Sequence, residues 1–176
     1  MNVGKMIKVF IAGSRRLSCL DNCARLRVDN IINKGLKVLV GDANGIDRAI
    51  QSHLYMRGYR NVEIFCMDSG CRNNIGDWPK RIISAPGILR FSFAYYSSKD
   101  KAMATEADYG LMLWDGNSRG TLRNIIDLVK KGIPLIIYID SKKKFYTIRN
   151  SKELHDFLMC INPNGFQSTL NQFISS

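Results

Sequence analysis

Three times along this chain a short apolar run stops at a polar turn containing glycine, and residues at helical spacing follow. Met6–Ala12 (M-I-K-V-F-I-A) leads into Gly13-Ser14-Arg15-Arg16. Lys37–Val40 (K-V-L-V) leads into Gly41-Asp42-Ala43-Asn44-Gly45, and then Ile46, Ala49, Ile50 and Leu54. Asp108–Trp114 (D-Y-G-L-M-L-W) leads into Asp115-Gly116-Asn117-Ser118-Arg119-Gly120-Thr121, and then Leu122, Ile125, Ile126 and Val129. A near-continuous apolar run suits a strand covered on both faces, and repeated strand–turn–helix units build a parallel sheet. The expected fold is therefore α/β: a Rossmann-like, doubly wound, mainly parallel sheet of five or more strands with helices on both faces. Right-handed crossovers then bring the three turns to one edge of the sheet, where such folds bind ligands.

The remaining elements fit that rhythm. A helix is expected from about Ser18 to Lys34, a strand at Asn61–Cys66, a helix at Ala94–Glu106 and a strand at Pro134–Ile139. A further strand at Phe145–Ile148 and amphipathic helices at Ser151–Met159 and Phe166–Ile174 would follow. Met67–Leu89 has no clear period and reads either as a functional loop or as a short helix. The 176 residues are expected to form one domain, with a core over about residues 6–140 and a C-terminal extension over 141–176.

No stretch has the eighteen or more apolar residues of a membrane span, and the first residues lack a signal-peptide pattern. A cytoplasmic protein without a membrane partner is expected. The five cysteines, Cys19, Cys23, Cys66, Cys71 and Cys160, include no C-x-x-C pair, and only His53 and His155 could join them. Reduced, partly buried thiols are expected, with no metal and no cofactor. The formal net charge of +11 favours an anionic partner.

The turns carry the chemistry for one. Gly13, Ser14 and Arg15 offer close backbone approach, a hydroxyl and a guanidinium, which suit a phosphate or carboxylate. Gly41, Asp42, Ala43 and Gly45 form a tight turn before a helix start. In the third turn, Gly116 and Gly120 permit unusual backbone, and Ser118 and Thr121 place hydroxyls beside a helix N-terminus. Neither the Walker nor the dinucleotide spacing is present. Asp47 and Asp115 would read or attack a sugar. Asp42 and Asp100 are further carboxylate candidates for stabilising an oxocarbenium-like centre, although Lys99-Asp100 reads as a surface pair unless its helix leans over the same edge.

Val9–Arg15 (V-F-I-A-G-S-R), Val40–Asp47 (V-G-D-A-N-G-I-D), Lys99-Asp100 with Met103, Ala107-Asp108 and Trp114–Thr121 (W-D-G-N-S-R-G-T) occur in order. Together they resemble the YspA/YpsA-like branch of the SLOG superfamily, over about Ile7 to Tyr138. The resemblance implies a nucleotide or nucleotide-derived ligand at a glycine-rich sheet edge, and a homo-oligomer. Its relatives imply three functions. Lonely-guy phosphoribohydrolases and nucleoside deoxyribosyltransferases act on N-glycosidic bonds. The DprA Rossmann-like domain, with a similar G-S-R and G-A-x-G-I-D, binds single-stranded DNA. The glutamate of the phosphoribohydrolase motif falls at Asn124 here. That favours a sensor or sequestering protein over an enzyme of N-glycosidic cleavage, with single-strand binding as the other alternative.

Overall fold

Seven strands form one sheet in the order β4-β3-β2-β1-β5-β6-β7 in the computed structural model, which describes residues 5–161. The chain runs β1 (Lys8–Gly13), α1 (Asn22–Asn33), β2 (Lys37–Gly41), α2 (Ile46–Met56), β3 (Val62–Met67) and β4 (Lys80–Ile83). It continues through α3 (Phe93–Glu106), β5 (Tyr109–Trp114), α4 (Arg119–Lys130), β6 (Leu135–Ile139), β7 (Lys144–Ile148) and α5 (Ser151–Ile161). All pairings are parallel except β6 with β7. The expected fold class is present, with two strands beyond the minimum.

Alternation along the strands divides the core in two. Phe10 and Ala12 of β1 face a cluster with Met103 of α3, Ile125 of α4 and Phe157 of α5. Val9 and Ile11 face the other cluster, with Val28 of α1 and Ile50 of α2. A period of two on each strand sends neighbouring side chains to opposite faces, so a continuous apolar run fills both layers.

Strand order reverses between β1 and β5. The chain works outward from β1 to β4, crosses back through α3, and continues on the other side of β1. At such a reversal the connections leave the strand ends in opposite directions and open a crevice. The turns after β1 and β5 flank it.

The Met67–Leu89 stretch is a loop that contains an edge strand rather than a helix. β4 pairs with β3, but Lys80, Arg81 and Ile82 are exposed, so it has no apolar alternation to read. Upstream, Trp78 is buried and donates from Nε1 to the Tyr59 carbonyl at 2.9 Å. Cys66 and Cys71 are joined by a disulfide, against the expectation of reduced thiols, and the free Cys19, Cys23 and Cys160 are exposed rather than partly buried. β7 completes the sheet, and Leu154, Phe157 and Leu158 of α5 join the core, so the extension is integral to the fold as far as residue 161. The helix expected at Phe166–Ile174 lies outside the described residues.

Candidate functional site at the strand-order reversal

The turn after β5 is built around the Asp115 carboxylate. Its Oδ1 accepts from the Asn117 and Ser118 amides at 2.9 and 2.8 Å and from the Ser14 hydroxyl at 2.9 Å. The Asp115 amide donates back to Ser14 Oγ at 3.1 Å. Burial opposes the charge on Asp115, but these donors, with Arg16 nearby, hold its carboxyl below the usual range. The result clamps the first turn to the third. Ser118 then caps α4, its Oγ accepting from the Thr121 amide at 3.4 Å and from the Thr121 hydroxyl at 3.1 Å. Among the described residues, the Arg119 and Gly120 amides have no acceptor. Two free N–H groups at the positive end of a twelve-residue helix make a place for an anion.

A cleft of about 540 Å³ opens there. Of the residues singled out from sequence, Gly13, Arg15, Ala43, Asp47 and Asp115 line it, as do Ser118, Gly120 and Thr121. Ser14, Gly41, Asp42, Gly45 and Gly116 do not. Ser14 lies fully buried as part of the clamp. Asp42 is also buried, with Arg72 bound to both oxygens, at 2.6 Å from Nη2 and 3.2 Å from Nε, and the Arg72 amide at 3.0 Å. Burial opposes its charge, yet Arg72 and Lys99 hold its carboxyl low. Asp42 therefore fastens the Arg72 loop.

The floor of the cleft is charged. Lys99, on the buried stripe Tyr95–Lys99–Met103 of α3, is 3% exposed. Its Nζ lies 2.8 Å from Asp100 and 3.9 Å from Asp42. Burial would lower its pKa, but Asp100, Asp47 and Asp42 raise it, so the ammonium is retained. Asp47, in the first turn of α2, accepts from the Ala43 amide at 3.2 Å. Gly41 leaves room for both groups: a Cβ there would stand 2.5 Å from Asp47 Oδ2 and 2.7 Å from Lys99 Nζ. Asn124 donates to Asp100 at 3.3 Å and also faces the cleft.

Burial pushes the Asp47 carboxyl up to about 6 from 3.8, against the opposing pull of Lys99. The native state thus holds this proton more tightly than the unfolded chain. The stability it contributes is full below pH 3.8 and is lost as pH rises through about 6. Asp47→Asn should therefore be more stable than the parent near pH 8, by on the order of 2 kcal/mol, and no more stable below about pH 4. Paired urea melts across that range check the difference; equal stability near pH 8 would contradict it.

An aromatic wall completes the cleft. Tyr96 carries the Arg72 guanidinium 4.6 Å from its ring centre and that of Arg15 at 5.8 Å. Phe91 and Phe93 are 67% and 59% exposed, and Phe93 Cε2 lies 3.8 Å from where a Gly120 Cβ would stand. Neither Arg15, Arg16 nor Arg119 has a carboxylate within 4 Å among the described residues.

No family model and no curated protein matches this chain. Its fold is similar to that of DNA processing protein A (DprA) from Streptococcus pneumoniae. The TM-score is 0.56 at 16% identity, over 86% of this chain. The chain spans 62% of the length of that DprA chain. At this identity the likeness concerns the fold.

Nothing local to Phe91, Phe93 and Tyr96 marks them as part of a cleft; the sheet folds the entry of α3 over the same edge as the turns after β1 and β5. Lys99-Asp100 reads as a surface pair from its polarity. Its place between Tyr95 and Met103 on one helical stripe was the signal for burial.

Proposed function

We propose that the cleft binds a phosphorylated nucleotide or nucleotide-derived ligand and that the protein acts as its sensor or sequestering site. One observation carries this reading: the Arg15, Arg16 and Arg119 guanidinium groups, none with a carboxylate within 4 Å among the described residues, share the cleft with two free amides of α4. Together they form a positive site fitted to phosphate. Tyr96 and Phe93 supply faces for a base, and Asp47 and Asp100 lie where sugar hydroxyls would be read. Asp115 keeps the loop in shape. The motif resemblance to the SLOG superfamily and the Rossmann-like fold support the same class of ligand.

A second reading is favoured by the exposed Phe91 and Phe93 beside these arginines, and by the DprA-like fold. Aromatic faces along a basic track hold successive bases of a single strand. A panel of AMP, ADP, ATP, ADP-ribose and 5′-phosphorylated oligonucleotides, followed by calorimetry and free-base release, separates the readings. Intact nucleotide binding is expected, and Arg15→Ala with Arg119→Ala should weaken it about 100-fold. Base release lost in Asp47→Asn would replace the sensor reading by N-glycosidic hydrolysis. Affinity that rises with strand length, falls steeply with salt and drops in Phe91→Ala/Phe93→Ala would replace it by single-strand binding.

A further inference from the structure

The opposite edge of the sheet carries a second cavity, remote from the three turns. The crossovers create it. α1 and α2 pack on one face of the sheet, while α3, α4 and α5 all pack on the other. Because β7 returns antiparallel to β6, no helix among the described residues covers the first face of β5 and β6 at the ends where those strands begin. The space left there is about 450 Å³, within the range of small-molecule sites.

Its floor is apolar. Val9, Leu111 and Ile136 form it, and Ile7 and Tyr109 stand at the mouth, 40% and 47% exposed. Its rim is cationic. Arg27 and Lys34 project from α1 on either side of Ile31, at i, i+4 and i+7 spacing that places all three on one stripe. Arg149 closes the far end beyond β7. Among the described residues, no carboxylate lines the cavity. Arg27 stacks on the Phe145 ring at 4.8 Å, which fixes its guanidinium without neutralising it. Lys34 has no carboxylate within 4 Å among the described residues, and Arg149 has only Glu153, at 3.6 Å. The neighbouring Asp108 is already taken by Lys5 Nζ and the Lys8 amide.

We propose that this groove is a second ligand site, taking a small amphipathic monocarboxylate with its apolar body on Val9, Leu111 and Ile136 and its carboxylate at the Arg27–Lys34 stripe. The charge pattern selects this class. An apolar floor alone fits any hydrophobe, but a rim in which Arg27 and Lys34 have no carboxylate partner among the described residues, with Arg149 answered only by Glu153, rewards an anionic head. The cavity offers few hydrogen-bonding groups for a sugar or base, so it does not duplicate the nucleotide cleft.

Dodecanoate is the probe, titrated by calorimetry into the full-length protein, with dodecan-1-ol as the uncharged counterpart. The expected result is saturable one-to-one binding of dodecanoate, about tenfold or more tighter than the alcohol. Arg27→Gln/Lys34→Gln should remove that preference. Thr147→Trp, an exposed position on the wall, should fill the groove and abolish binding while leaving the unliganded melting temperature unchanged. Equal affinity for acid and alcohol, unsaturable binding, or full affinity in the double variant would overturn the proposal. None of these outcomes depends on whether the cleft at the other edge binds a nucleotide.

Discussion

Lys99→Met should cost about 3–5 kcal/mol of stability near pH 8 and distinctly less near pH 5. Lys99 is 3% exposed, and its ammonium answers three carboxylates, Asp100 at 2.8 Å, Asp42 at 3.9 Å and Asp47 across Gly41. Methionine fills similar volume, so the loss is electrostatic rather than a cavity. Asp42 keeps Arg72, and Asp100 keeps Asn124. Asp47 keeps only the Ala43 amide among the hydrogen-bond donors described. Its carboxyl, already raised to about 6, rises further without Lys99, so the buried charge is least tolerable in alkaline solution. Acid relieves it by protonation. Urea melts of parent and variant across this pH range check both the size and the slope. A deficit independent of pH would mean that Lys99 acts through packing alone. Raised salt should help little, because the pair is screened from solvent.

Gly45→Ala should lower the melting temperature by roughly 10 °C, about 3 kcal/mol. Gly45 precedes α2 at φ +84° and ψ −131°, a conformation closed to side chains. It also meets the turn after β1: a Cβ would lie 2.4 Å from the Arg15 carbonyl oxygen and 2.5 Å from the Arg15 Cα. Backbone cannot give way as a side-chain tip does. The variant must move α2 or displace Arg15, so binding at the cleft should weaken along with stability. Gly58→Ala is the control. It shares the positive φ, at +64°, but its Cβ would have nothing within 4 Å. Its cost should be only about 1 kcal/mol. Thermal melts of the two variants beside the parent separate conformational strain from collision; equal losses would show that the Arg15 contact is unimportant.

The contact between Gly45 and Arg15 shows how the site is made. Each turn carries its own local signal, but neither describes the other. Parallel pairing of β1 with β2 and with β5 brings the three turns together, and Asp115 then locks the first to the third through Ser14.

Much of this was legible in the chain. Runs such as Val9–Ala12 and Val38–Val40 had to be strands buried on both faces, and glycine-bearing turns followed by helical spacing imposed the parallel, doubly wound order. The Ser118 cap and the anion-fitted start of α4 were also local matters. β4 escaped because an exposed edge strand has no burial pattern. The fates of the acids were written elsewhere. Asp42, Asp47 and Asp115 look alike in sequence, each near a glycine turn. Folding gives Asp42 to Arg72, sets Asp47 beside Lys99 in a dry floor, and makes Asp115 a backbone clamp. Local pattern encodes which elements form, because hydrogen bonding and burial periodicity are short-range. The charge state and access of each side chain depend on desolvation and on partners brought from distant positions, and these exist only once the sheet has closed.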